Sequence, residues 1–175
     1  MEIVVRPSGL LICGALRVRC ALGRAGIVLD KREGDGATPA GAFALRRVLY
    51  RADRRPRPPT RLPVRALAPR DGWCDDPGHP AYNRPVRLPF AGGCERLWRH
   101  DGRYDLIAVL GHNDDPVRAG EGSAVFLHVA APGFAPTAGC VAVTAPDLLR
   151  LLRRAGPETR LRIAAPGAGG RGPRD

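Results

Sequence analysis

The chain has 175 residues, enough for one domain with a real core. Its formal net charge is +11, and nearly all of the positive charge is arginine, Lys31 being the sole lysine. That balance favours an anionic partner: nucleic acid, a membrane surface or an acidic wall polymer. Aromatic residues make up only 5%, too sparse for the stacking platforms of a single-stranded nucleic-acid binder, so nucleic acid is not expected. No apolar run approaches the roughly 20 residues of a membrane span.

The 22 glycines and 18 prolines bend the chain often, which predicts a mainly β fold with few helices. Residues 2–6 and 10–13 read as a first strand pair. In "ALRVRCALG", Leu16, Val18 and Cys20 alternate with Arg17, Arg19 and Ala21, the pattern of a strand with one wet, basic face. Residues 27–29 form a short strand, and a Gly-rich turn leads to a strand over 42–50. "RADRRPRPPTRLP" and "APRDGWCDDPGHPAYNRPVRLP" read as two long loops, the second ordered by Trp73 and Tyr82. Residues 104–111 and 123–130 are central strands, rich in Val, Ile, Leu and Phe, and 140–143 is a short strand. One helix begins after Thr144, with Pro146 in its first turn, Asp147 three residues beyond the cap and an apolar stripe of Leu148, Leu149, Leu151 and Leu152. Gly156 is expected to stop it. Residues 160–164 are a last strand. The domain is expected over 1–165, with a flexible tail over 166–175.

Five cysteines, Cys13, Cys20, Cys74, Cys94 and Cys140, leave at least one unpaired within the chain, and a Cys74–Cys94 bridge stays open. None has zinc-ligand spacing, so no metal and no cofactor is expected. The apolar stretch over 10–16 is short, follows a proline and lacks a basic leader, so it does not read as an export signal and the chain reads as soluble and cytoplasmic.

The candidate chemistry lies in "FLHVAAPGFAPTAGCVAVTAPDLL", residues 126–149. Strand alternation sends Val125, Leu127 and Val129 to one face and Phe126 and His128 to the other. Pro132, Gly133, Pro136 and Gly139 then reverse the chain, so that Cys140 starts a strand beside the end of the His128 strand. A thiol is nucleophilic as the thiolate, its free pKa is about 8.5, and a neighbouring imidazole lowers it through an ion pair. The backbone amides of Ala138, Gly139 and Cys140, free of a sheet ladder, suit a developing oxyanion. Spacing alone leaves two readings: a catalytic pair, or a core cysteine and a core histidine.

His128 followed by Thr137-Ala138-Gly139-Cys140 resembles the active-site segment of the L,D-transpeptidase catalytic (YkuD-type) family. "ATPAGAF" (Ala37 to Phe43) resembles that family's Thr-Pro-x-Gly-x-Phe segment, and "GWCDDP", "YNRPV" and "GHNDDP" resemble its compact single-domain branch. The resemblance spans about residues 31–161. It implies a mixed β-sheet sandwich and acyl transfer between peptidoglycan stem peptides. Cys140 is then the nucleophile, His128 the proton carrier, and the Val129 carbonyl the group that holds the ring's tautomer. Thr137 orients the turn. The compact branch leans toward 1,3 rather than 3,3 links; water as acceptor makes the same site a carboxypeptidase or endopeptidase. The sequence departs from the family at Ala138, where many members have histidine, and at Ala142, where many have Arg or Asn. Arg84 is therefore the candidate for a substrate carboxylate. Tyr82, Asn83 and Trp73 are candidate walls of the donor site, and His112 and Asp114 candidate contacts for substrate amines. The expected partners are donor and acceptor stem peptides, the protein a monomer, and the chemistry implies the cell envelope despite the missing leader. A basic binding module remains the rival class.

Overall fold

The computed structural model describes residues 1–167, so the expected tail lies, from residue 168 on, outside the described residues. The strands are β1 (Glu2–Arg6), β2 (Leu10–Cys13), β3 (Leu16–Arg19), β4 (Ile27–Val28), β5 (Thr38–Pro39), β6 (Gly41–Tyr50), β7 (Val64–Ala66), β8 (Asp71–Cys74), β9 (Pro85–Arg87), β10 (Cys94–Arg96), β11 (Leu106–Leu110), β12 (Phe126–Val129), β13 (Val141–Val143) and β14 (Arg160–Ile163). One α-helix, α1 (Ala145–Arg154), lies between the last two. The fold is thus mostly β with a large mixed sheet, as expected.

That sheet runs β13-β12-β11-β6-β14-β1-β2-β3, with β7 against the far half of β6. The ten-residue β6 joins its two parts, pairing β14 through Gly41–Ala44 and β11 through Leu45–Tyr50. Strand periodicity sorts the central side chains into two cores. Leu106, Ala108 and Leu110 of β11, Leu127 of β12 and Val141 and Val143 of β13 face the core that α1 covers. Ile107 and Val109, Phe126 and Cys140 face a second core, closed by Trp73 and Leu97 from the region of the small sheet β10-β8-β9.

The helix forms where its caps demand. The Thr144 hydroxyl accepts the Asp147 amide at 3.3 Å and donates to its carboxylate at 2.6 Å, so the first turn is closed before any packing. Leu148, Leu151 and Leu152 are wholly or almost wholly buried, each contributing about 2 kcal/mol of transfer free energy. The expected stop at Gly156 is corrected: the helix ends at Ala155, which is already extended (φ −76°, ψ 142°). Gly156 follows without a left-handed φ, and a Cβ there would crowd the Arg61 guanidinium at 3.0 Å, the movable end of a side chain.

Two further expectations are revised. The second long loop contains strands β8 and β9, which β10 beyond it completes into a three-stranded sheet, and Cys74 and Cys94 stand opposite each other there as free thiols. Strand β13 also runs parallel to β12, not back along it, with Leu127 opposite Val141 and His128 opposite Ala142. A parallel neighbour needs a long crossover, and residues 130–140 supply it. Cys140 therefore sits beside Phe126, at the start of β12 rather than its end, on the same sheet face as His128 and two positions away along the strand.

Candidate active site

The loop before Cys140 is fixed by backbone. Thr137 bonds the segment after β3 in both directions, its amide to Leu22 O at 2.9 Å and its carbonyl to the Arg24 amide at 3.0 Å. Its hydroxyl donates to the Cys140 carbonyl at 2.6 Å and accepts the Gly139 amide at 3.1 Å, closing a tight turn. Gly139 has φ +146°, and a Cβ there would stand 2.8 Å from the Ala37 carbonyl oxygen. Gly23 is equally confined, a Cβ meeting Gly36 O at 2.4 Å, and its amide donates to the buried Thr38 hydroxyl at 2.8 Å. The "ATPAGAF" segment thus forms the floor on which the cysteine loop rests.

Cys140 and His128 are 7% and 4% exposed, and both line one cavity of about 600 Å³. The thiol accepts the Phe126 amide at 3.4 Å and donates to Ala124 O at 3.3 Å. His128 Nδ1 lies 2.9 Å from the Val129 carbonyl. A carbonyl only accepts, so Nδ1 carries the proton and Nε2 keeps its lone pair. Among the described residues no hydrogen bond joins Cys140 to His128. Burial pushes the thiol up to about 12, with the Glu95 carboxylate adding to the effect. Burial brings the imidazole down to about 4, against the opposing bond to Val129, and Arg103 and Arg99 lower it further. Both shifts favour a neutral thiol and a neutral ring at rest over the expected thiolate–imidazolium ion pair, because burial penalises either charge. The three amides expected to face an oxyanion are not equally free. The Gly139 amide is spent on Thr137, leaving the Ala138 and Cys140 amides without an acceptor among the described residues.

The histidine also ties stability to pH. Its folded value of about 4 lies below the ordinary 6.5, so in that window the unfolded chain binds a proton that the folded chain refuses. The stability that neutral His128 contributes is full above the ordinary value and is lost as pH falls through the window, on the order of 3 kcal/mol in all. Urea unfolding of His128→Gln is expected to show a correspondingly shallower loss on acidification than the wild-type chain.

The remaining candidates fall mostly outside the cavity. Trp73 is packed edge-on against Phe126 at 5.2 Å and donates Nε1–H to Asn83 Oδ1 at 2.9 Å. Asn83, in a left-handed conformation (φ 54°), also accepts the Ala124 amide at 3.2 Å and donates to the carbonyls of His112 and Asn113 at 3.0 and 2.6 Å. It ties the small sheet to the residue whose carbonyl holds the thiol. Tyr82 is buried, its hydroxyl donating to Glu33. His112 packs against Phe43 at 5.4 Å with Nε2 2.9 Å from Glu121 O, and Asp114 forms a two-point ion pair with Arg46. Arg84 is exposed. None of these six lines the cavity.

Other charges do. Arg24, Lys31, Arg96, Arg99 and Arg103 supply cations, and Glu33, Asp75 and Glu95 supply carboxylates. Burial raises Asp75, with Glu33 and Asp76 adding to it. Lys31 is 8% exposed, bonds to Asp35 and lies close enough to Cys140 to favour its thiolate. Its isolation as the one lysine among 28 basic residues was a signal that the sequence carried. The individual arginines were masked by the general excess of arginine.

A thiol and an imidazole on one sheet face, opening on one charged cavity, define a β-rich domain of the cysteine–histidine class. The chain matches the family model described as L,D-transpeptidase catalytic domain (YkuD) over residues 7–163, and it belongs to that family. The family uses a cysteine and acts on peptidoglycan. No curated protein and no solved structure matches the chain. No helix among the described residues is long and apolar enough to cross a membrane.

Proposed function

We propose that the protein is a peptidoglycan L,D-transpeptidase that works in the cell envelope through a thioester on Cys140. The observation that carries this is the shared cavity of Cys140 and His128, with the ring tautomer held by Val129. The neutral resting pair makes deprotonation part of the attack. Nε2 takes the thiol proton as sulfur closes on the carbonyl carbon next to the L-centre of the donor stem. Negative charge develops on the carbonyl oxygen, where the unspent amides of Ala138 and Cys140 are the donors at hand. The imidazolium returns its proton to the departing amine; an acceptor amine from a second stem then attacks the thioester, Nε2 takes its proton, and the C–S bond breaks to give a new amide and a thiolate that recovers the proton from the imidazolium. The cavity arginines take over the carboxylate role that Arg84 is too exposed and remote to fill.

Incubation of purified sacculi with the protein, followed by mass spectrometry of the muropeptides, is expected to reveal new cross-linked dimers, with 1,3 links favoured over 3,3. Shortened monomers without dimers would identify a hydrolase on the same site. Binding that falls steeply with salt and produces neither would identify a basic binding module.

A further inference from the structure

Tyr104 stands at the centre of the site although the mechanism does not use it. Its ring is edge-on to His128 at 5.1 Å and to Phe126 at 6.0 Å, and the Arg99 guanidinium lies 5.3 Å from its centre. Its hydroxyl donates to Glu95, a side chain from the middle of β10 that lines the same cavity as Cys140. A phenol has one hydrogen to give. Glu95 and the sulfur compete for that hydrogen: the carboxylate, the stronger acceptor, draws it away and places a negative charge near the sulfur, while a neutral side chain at position 95 accepts it more weakly and leaves more of it to the sulfur.

We propose that Glu95, acting through the Tyr104 hydroxyl, sets the reactivity of the Cys140 thiol. The inference rests on the proposed function only in taking Cys140 as the nucleophile. Both are positioning residues in this proposal, since each acts on the thiol rather than on the acyl group. The thiol's surroundings agree with this: beyond its burial, Glu95 opposes the thiolate, whereas the Phe126 amide, Lys31 and Tyr104 favour it. Glu95 is itself raised above the usual carboxylate range by burial; Tyr104 and Arg99 pull it back, and Asp75 and Glu33 push it further. Tyr104 is raised by burial and by Cys140 and Glu95, with Arg99 opposing. His128 faces Arg103, Arg99 and Asp101, so its charge state is not set by Glu95. Protonation of Glu95, or a substrate cation set against it, therefore releases the phenol and prepares the thiol.

The test is the pH profile of thiol alkylation at Cys140 by iodoacetamide, read by peptide mass spectrometry so that the other four cysteines do not interfere. Glu95→Gln is expected to move the profile to lower pH, with alkylation about tenfold faster near neutrality for each pKa unit. Tyr104→Phe, which keeps the ring packing, is expected to move it to higher pH. A merely structural role would shift both variants the same way or neither, and any result other than opposite shifts overturns the proposal. If Glu95→Gln does not fold, Glu95→Asp, which withdraws the carboxylate from the phenol by one methylene, takes its place with the same expected direction. Assay of the same proteins on sacculi separates the two ideas. Opposite shifts without turnover would overturn the function alone, and normal turnover without them the relay alone.

Discussion

Replacing Cys140 with alanine is expected to remove the proposed cross-link formation on sacculi, by about 10³-fold or more, while the chain stays folded. The loss is large because no second nucleophile can substitute. Among the described residues the other cysteines do not line the cavity: Cys13 and Cys20 face the helix-side core, and Cys74 and Cys94 belong to the small sheet. The fold survives because Cys140 packs as one small side chain against Phe126 and the Ala124 carbonyl, and alanine keeps the backbone of the turn intact. Retained cross-linking by the alanine variant, measured as dimer muropeptides, would remove the assignment.

Gly139→Ala has the second-largest effect. The position combines φ +146° with an approach of 2.8 Å between an added Cβ and the Ala37 carbonyl oxygen. The close neighbour is backbone, so it cannot swing aside as a flexible side chain does. The loop must lift off the Thr-Pro segment or Ala37 must retreat. A displacement of about 1 Å at the nucleophile costs on the order of 100-fold in rate, and the strained conformation about 1–3 kcal/mol in stability. Steady-state rates and urea unfolding check the two parts. Ala138→Gly, one residue earlier, is the control that is expected to retain most activity. Equal behaviour of the two variants would mean that the contact between the motifs does not position the sulfur.

Much of this site could be read from the residues. The apolar runs around Leu106–Leu110 and Phe126–Val129 fixed the two central strands, and alternation alone placed Phe126 and His128 on one face. Thr144, Pro146 and Asp147 announced the helix. What failed did so for physical reasons. The direction of β13 depends on the path of an eleven-residue connection, and turn residues allow either a hairpin or a crossover. The strands β8, β9 and β10 are three or four residues long and lack alternation, so their pairing comes from tertiary contacts around Trp73 and Asn83. Glu95 sits in a segment with no apolar period, the strand expected from Tyr104 in fact begins at Leu106, and only the fold brings these two residues to the cavity of Cys140. The polar residues of "YNRPV" and "GHNDDP" were legible as important but not in role. Asn83 braces the site through four hydrogen bonds instead of walling it.

The central claim is that the Cys140 sulfur carries the acyl group. The most direct measurement is to quench the protein in acid during turnover with donor muropeptides and map the adduct by peptide mass spectrometry. The account predicts a stem-peptide acyl group on the peptide containing Cys140, present in the wild-type chain and in a variant with the other cysteines replaced. Turnover of the muropeptides with Cys140 unmodified throughout, or with the acyl group on another residue, would contradict it.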